Sequence, residues 1–220
     1  MTTFSNTHAI LFDVDGTLLD TAADFAYVIN LMRQEKGLPD IKENDIKHYA
    51  GHGSTPMIKY AFGIDESDPV FATLRQQLLD LYKEHIARFS KPFDGIRDVL
   101  HILATKQMPW GIVTSRPGWS LEPLLTAMQL KPAPQFWVAG DTLPVSKPHP
   151  EPLLHACEIL TLSPKQCLYI GDTEVDVQAA RAAGMAVLIA NYGYGAIGSN
   201  PNDWQADGYL DTPLALLDYL

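Results

Sequence analysis

An α/β fold, built as a doubly wound parallel sheet with an inserted helical domain, follows from three features of this 220-residue sequence. Short runs apolar at every position recur along the chain, as in strands buried on both faces. Segments of helical period separate them, the mark of helices covering both sides of a parallel sheet. After the first run the rhythm is interrupted by a long stretch carrying helical patterns of its own.

The strand runs, in chain order, are AILF at 9–12, WGIVT at 110–114, QFWVA at 135–139, CLYIG at 167–171 and AVLIA at 186–190. Between them Val99, Ile102 and Leu103 mark one face of a helix starting near Asp94, and Gly184 stands where a later helix needs its C-cap. Within the interruption, Phe25, Val28, Ile29 and Met32 form a stripe stopped by Gly37. Pro56 opens a short helix ended by Gly63, and Pro69 opens a long one carrying Phe71, Leu74, Leu78, Leu81, His85 and Phe89. These stripes read as the interior of an insert rather than as a ligand box. The expected division is a core of residues 1–19 and 90–220 and a helical cap of residues 20–89. The tract NYGYGAIGSNPNDW at 191–204 reads as a long loop rich in turn residues.

With 46% hydrophobic and 19% charged residues, the chain can bury an ordinary core. Its apolar runs fall far short of the roughly 20 residues that cross a bilayer, and MTTFSNTHAI lacks a signal-peptide pattern, so a cytoplasmic location is expected. A net charge of -10 argues against nucleic acid and acidic membrane as partners. A small molecule is the expected partner, and a monomer or homodimer the expected state. Cys157 and Cys167 read as buried thiols, without a disulfide or nucleophilic role.

Three strands stop in polar residues: ILF in Asp13, GIV in Thr114 and Ser115, LYIG in Asp172. In open parallel sheets ligands bind beyond the carboxyl ends of the strands, so these distant segments should converge. Asp13, Asp15, Asp172 and Asp176 would then crowd negative charge that a cation must compensate. An all-oxygen donor set without His or Cys favours Mg2+, which typically takes few carboxylates and a substrate phosphate oxygen. Phosphate chemistry is the reading.

Asp13 and Asp15, two apart in an extended segment, project to one side. Asp13 is the candidate nucleophile, forming an aspartyl-phosphate, and Asp15 the candidate general acid and base. Gly16 lets the backbone approach the phosphate and donate to it. Thr114 and Ser115, before a helix, form a candidate anion site, and Lys147 in SKPHPEPLL is the candidate charge stabiliser, held extended by Pro148. Arg116 is a candidate for a second negative group. His52, between Gly51 and Gly53, is a candidate contact from the insert. Gly171-Asp172 before Thr173 and Glu174 also reads as a helix N-cap, though capping leaves Asp176 unexplained.

These residues resemble the haloacid dehalogenase superfamily of phosphatases over essentially the whole chain. Asp13-Val14-Asp15-Gly16-Thr17 is like its first motif, Thr114 its second, Lys147 its third, and Gly171-Asp172 through Asp176 its fourth. The resemblance implies Asp13 as nucleophile and metal ligand, Asp15 as acid/base whose backbone carbonyl also ligates, Asp172 as a further ligand, and Asp176 orienting Lys147 or metal-bound water. A helical cap after the first motif is similar to the phosphoglycolate phosphatase branch, whose VTNKP is close to Val113-Thr114-Ser115-Arg116-Pro117. The strings KPHPEPLL and NPNDWQAD also resemble bacterial N-acetylmuramic acid 6-phosphate phosphatases.

Two other classes fit less well. An EF-hand requires Gly where this chain has Leu18, and a helix where it has a strand. A phosphoaspartate signalling receiver carries its acid pair ahead of the phosphorylated Asp and has no helical insert.

Overall fold

The computed structural model describes residues 4–195, 197, 198 and 200–220. Strand β1 is Ala9–Phe12 and the short β2 is Leu19–Asp20. Helices α1 (Ala22–Glu35), α2 (Glu43–Ala50), α3 (Ser54–Phe62) and α4 (Phe71–Glu84) follow, closed by β3 (Lys91–Pro92). The remainder alternates: α5 (Ile96–Thr105), β4 (Trp110–Val113), α6 (Gly118–Met128), β5 (Trp137–Val138), α7 (Glu151–Leu160), β6 (Cys167–Gly171), α8 (Glu174–Ala183), β7 (Ala186–Ala190) and β8 (Gly208–Leu210).

Six strands form one parallel sheet in the order β5-β4-β1-β6-β7-β8. Strand β1 lies at the centre, with Leu11 between Gly111 of β4 and Tyr169 of β6. The chain leaves β1 toward β5 on one side and toward β8 on the other, so the sheet changes direction there. Such a switch point opens a crevice at the carboxyl ends of the flanking strands. Residue alternation covers both faces: Ile10 and Phe12 pack with Leu100 and Leu103 of α5 and Leu121 and Leu124 of α6. Ala9 and Leu11 pack with Leu153 of α7 and Val177 and Ala180 of α8.

The four helices between β2 and β3 bury a separate cluster that includes Val28, Ile29, Met32, Ile46, Ile58, Leu74 and Leu78. β2 and β3 pair antiparallel, Leu19 with Pro92 and Asp20 with Lys91, and so form a two-stranded neck where the chain leaves and rejoins the sheet. Among the described residues no helix is long and apolar enough to cross a membrane. Cys157 and Cys167 are buried free thiols, their sulfurs 3.7 Å apart.

Several elements differ from expectation. The strand placed at 135–139 is only Trp137–Val138, an edge strand paired with β4 alone, following Pro132 and Pro134. The long helix ends at Glu84, short of His85 and Phe89, and Ala87 adopts a φ of 62°. Those two rings still pack on Tyr27, at 5.2 and 5.5 Å between centroids, which explains why the apolar spacing outlasts the helix. Helix α3 starts at Ser54, with Pro56 inside its first turn, and α5 starts at Ile96 after Gly95. Helix α2 and strands β2, β3 and β8 carry too few apolar positions to announce themselves: α2 buries Ile46 and Ala50 only.

Candidate active site

Each strand flanking the switch point delivers a polar residue just past its end. Asp13 follows β1, Thr114 follows β4 and Asp172 follows β6, all of them buried. Asp13, Asp172 and Asp176 bring carboxylate oxygens within 4.8 Å of one another. The Lys147 ammonium lies 3.1 Å from Asp13 Oδ2 and 2.6 Å from Asp176 Oδ1, and donates to the Tyr169 hydroxyl at 2.8 Å. The Tyr169 hydroxyl stands 2.9 Å from both Asp176 Oδ1 and the Val113 carbonyl oxygen, and shares its single proton between them.

Asp176 does two things at once. Its Oδ2 accepts from the Asp172 and Thr173 N–H groups, at 3.2 and 3.0 Å, and from the Thr173 hydroxyl at 2.7 Å. Thr173 is the N-cap of α8, so capping accounts for Asp176 after all, and the cap is at Thr173 rather than Gly171-Asp172. Asp172 Oδ2 accepts from the N–H groups of Tyr194 at 2.8 Å and Gly195 at 3.1 Å.

The electrostatics follow from burial. Desolvation, only partly offset by Lys147, pushes the Asp13 carboxyl up to about 6. Burial, together with the charges of Asp176 and Asp13, drives Asp172 well above the usual carboxylate range. Burial works against Asp176 too, but Lys147 and the Thr173 donors outweigh it and hold Asp176 low. Desolvation disfavours the charged form of Lys147; Asp13 and Asp176 outweigh that and raise it. Thr114 also favours the ionised Asp13 through its side chain, which places the hydroxyl at that carboxylate.

This donor set suits a hard divalent cation: buried carboxylates, oxygen only, with Asp13 and Asp172 both held above the usual carboxylate range, a penalty on the ionised forms that a further positive charge would relieve. The backbone is shaped to the same end. Gly16 has a φ of 78°, and a Cβ there would stand 2.1 Å from Asp172 Oδ2. A Cβ at Gly171 would stand 2.4 Å from the carboxyl carbon of Asp176.

Asp15 does not join the acidic cluster through its side chain. Its Oδ2 accepts from Arg116 Nε at 3.0 Å and its Oδ1 from Arg116 Nη2 at 2.5 Å, while the Thr21 hydroxyl also donates to Oδ1. The Arg116 Nη1 donates to the Tyr82 hydroxyl of α4 at 2.8 Å, and the guanidinium lies 5.5 Å from the Phe25 ring and 5.4 Å from the Tyr82 ring. Phe25 and Tyr82 stack at 4.3 Å. Phe25, read from sequence as insert interior, thus also faces this arginine. Ser115 is exposed, and its side chain takes no part in these contacts.

His52 faces solvent, with the His48 ring 6.2 Å away. Its neighbour Gly51 makes the closer approach: a Cβ there would stand 3.4 Å from Thr173 Cγ2, so this turn of the helical insert rests on the start of α8. The residues that sequence reasoning missed are Tyr169, Tyr194, Thr173, Thr21 and Tyr82. Tyr194 accepts from the Thr21 and Ala22 N–H groups and donates to Asp20 at 2.5 Å, while its own N–H serves Asp172. In sequence, Tyr169 is one more apolar strand residue and Tyr194 one more loop residue. Only the Asp-Thr-x-x-Asp spacing at 172–176 hinted at the capping role.

Residues 10–190 match the family model described as haloacid dehalogenase-like hydrolase. An N-acetylmuramic acid 6-phosphate phosphatase of Pseudomonas aeruginosa is 39% identical over 96% of this chain and 94% of its own length. A phosphoglycolate phosphatase of Xylella fastidiosa is 37% identical over 93% of this chain and 89% of its own. A crystal structure described as a predicted phosphoglycolate phosphatase from Haemophilus somnus superposes with a TM-score of 0.86 at 28% identity, covering 97% of this chain and 98% of that one. A family match over residues 10–190, with the acids gathered at the switch point of the sheet, settles the lineage: the chain belongs to the haloacid dehalogenase-like hydrolase family.

Proposed function

We propose that this protein is a Mg2+-dependent phosphomonoester hydrolase of the phosphoglycolate phosphatase type, working through an aspartyl-phosphate on Asp13. The observation that carries it is the buried group of Asp13, Asp172, Asp176 and Lys147 at the ends of adjacent strands. In this reading residues 1–19 and 90–220 are the catalytic core and residues 20–89 the cap. A cation held by the Asp13 and Asp172 carboxylates and the Asp15 backbone carbonyl would neutralise the charge brought in by the phosphate.

Asp13 attacks phosphorus while the ester oxygen leaves with a proton from Asp15; Asp15 then takes a proton from the water that releases phosphate and restores Asp13. Lys147 offsets charge at Asp13, and Asp176 and Tyr169 position it, since the oxygens of Asp176 are occupied by protein donors. Thr114 and Ser115 receive the phosphoryl oxygens; the Gly16 N–H, expected from sequence to donate to them as well, is instead spent on the Leu19 carbonyl at 3.1 Å, so Gly16 contributes close backbone approach and no donor. The cap covers the site and excludes bulk water.

N-acetylmuramic acid 6-phosphate is the second candidate substrate beside 2-phosphoglycolate. It is favoured by the 39% identity to the Pseudomonas enzyme and by the exposed Trp119, edge-on to Tyr82 at 6.5 Å, which offers an apolar surface to a larger leaving group. Phosphate release with Mg2+ from both esters and from p-nitrophenyl phosphate tests the reading. Wild type should turn over at least one, and Asp13→Asn should be silent to below about one part in a thousand. Equal release by Asp13→Asn, or undiminished release after chelation, would sink it.

A further inference from the structure

We propose that Arg116 is the specificity-determining residue of this site, a carboxylate sensor that frees Asp15 for proton transfer only when the leaving group carries its own carboxylate. The inference rests on the phosphatase reading above and deepens it.

Arg116 is 6% exposed and is the guanidinium on which three groups meet: the Asp15 carboxylate, the Tyr82 hydroxyl, and the stacked Phe25 and Tyr82 rings. Asp15 belongs to the sheet end of the molecule, whereas Phe25 and Tyr82 belong to α1 and α4. Both oxygens of Asp15 are occupied, Oδ1 by Arg116 and Thr21 and Oδ2 by Arg116. A general acid must reach the leaving oxygen to within hydrogen-bond distance, so Asp15 has to leave this embrace to act.

Leaving alone would strand a buried cation under the helical insert, and breaking a buried pair by removing one partner is costly. The cost vanishes if another planar anion takes the vacated fork. Nε and Nη2 already grip a carboxylate by both oxygens, and that two-point geometry suits a carboxylate where a lysine would offer only a point charge. The incoming carboxylate therefore exchanges with that of Asp15. Binding at the leaving-group end is converted into placement of the acid, so the gain is expressed in kcat as well as in KM.

The experiment compares 2-phosphoglycolate with its neutral isostere, the phosphate ester of glycolamide, in Mg2+. Wild type should prefer the carboxylate by about 100-fold or more in kcat/KM, with kcat itself contributing. Arg116→Gln should lower the carboxylate ester about 100-fold and raise the amide, so that the two converge to within about threefold. A purely structural arginine would depress both esters by the same factor, and that result would overturn the proposal. So would a wild-type ratio near one, which needs no folded variant. Hydrolysis of p-nitrophenyl phosphate separates the failures: if it proceeds without any carboxylate preference, only the role of Arg116 falls, whereas if none of the three esters is cleaved, the phosphatase reading falls with it.

Discussion

Lys147 is 7% exposed and touches Asp13, Asp176 and Tyr169, which makes it the keystone of the charge balance. Without it, the mutual repulsion of Asp13 and Asp176 in a buried space is left to neutral hydrogen-bond donors alone. Lys147→Met preserves the length of the side chain and removes the charge, so any loss reports electrostatics rather than volume. At pH 8, without added metal, it should cost about 3 kcal/mol or more in urea unfolding, as expected for a buried charge left unpaired. Turnover should fall by about a thousandfold. The stability loss should shrink at pH 5, where Asp13, with its carboxyl at about 6, takes up a proton and the repulsion is relieved.

At the scale of elements, the strands place the chemistry and the helices close over it. The contacts that join the helical insert to the sheet domain at the site include the Tyr82–Arg116 hydrogen bond from α4 and the turn at Gly51 resting on Thr173. Thr173 caps α8 and bonds Asp176, so this second contact presses on the scaffold that holds Lys147. A methyl group at Gly51 would meet Thr173 Cγ2 at 3.4 Å, an ordinary contact, whereas the further atoms of a branched side chain would be added at the surface that rests on Thr173. Gly51→Ala should therefore keep near-normal kinetics, while Gly51→Leu should prop the insert away and raise KM by about tenfold. A KM in Gly51→Leu equal to that of wild type would show that closure does not use this contact.

For the molecule as a whole, pH and metal compete for the same carboxylates. Asp13 titrates near 4 when unfolded and at about 6 when folded, and Asp172 is raised in the same direction. A raised carboxyl stabilises the fold while protonated, so this contribution is present below pH 4 and is lost as pH rises through 6. Metal-stripped protein should thus lose stability from Asp13 between pH 4 and pH 7, and Asp172 contributes a loss of the same sign as pH rises. A cation reverses the penalty, and it binds only the deprotonated forms. The rise in Tm on adding 5 mM Mg2+ should accordingly be several degrees at pH 8 and close to zero at pH 5. An equal rise at both values would remove the acidic cluster as the metal site.

The sheet, its helical insert and the acids at the strand ends were readable along the chain, because apolar periodicity sets which segments are strands and parallel topology forces their carboxyl ends together. Asp13, Thr114, Lys147, Asp172 and Asp176 were legible on that ground. Which partner each side chain faces depended on packing in three dimensions. Arg116 and Asp15 lie 101 residues apart, and their pairing depends on how α1 and α4 pack over the sheet. The spacing of Asp13 and Asp15 suggested a shared substrate, yet the carboxylate of Asp15 turns to Arg116 and Thr21. His52 faces solvent, and of that turn it is Gly51 that lies against the start of α8. Tyr169 and Tyr194 were invisible because an aromatic hydroxyl reads as apolar bulk until the partner of its oxygen is known. Spacing along a chain fixes which residues share an edge or a face; rotamers and partners from distant segments are chosen only when packing closes.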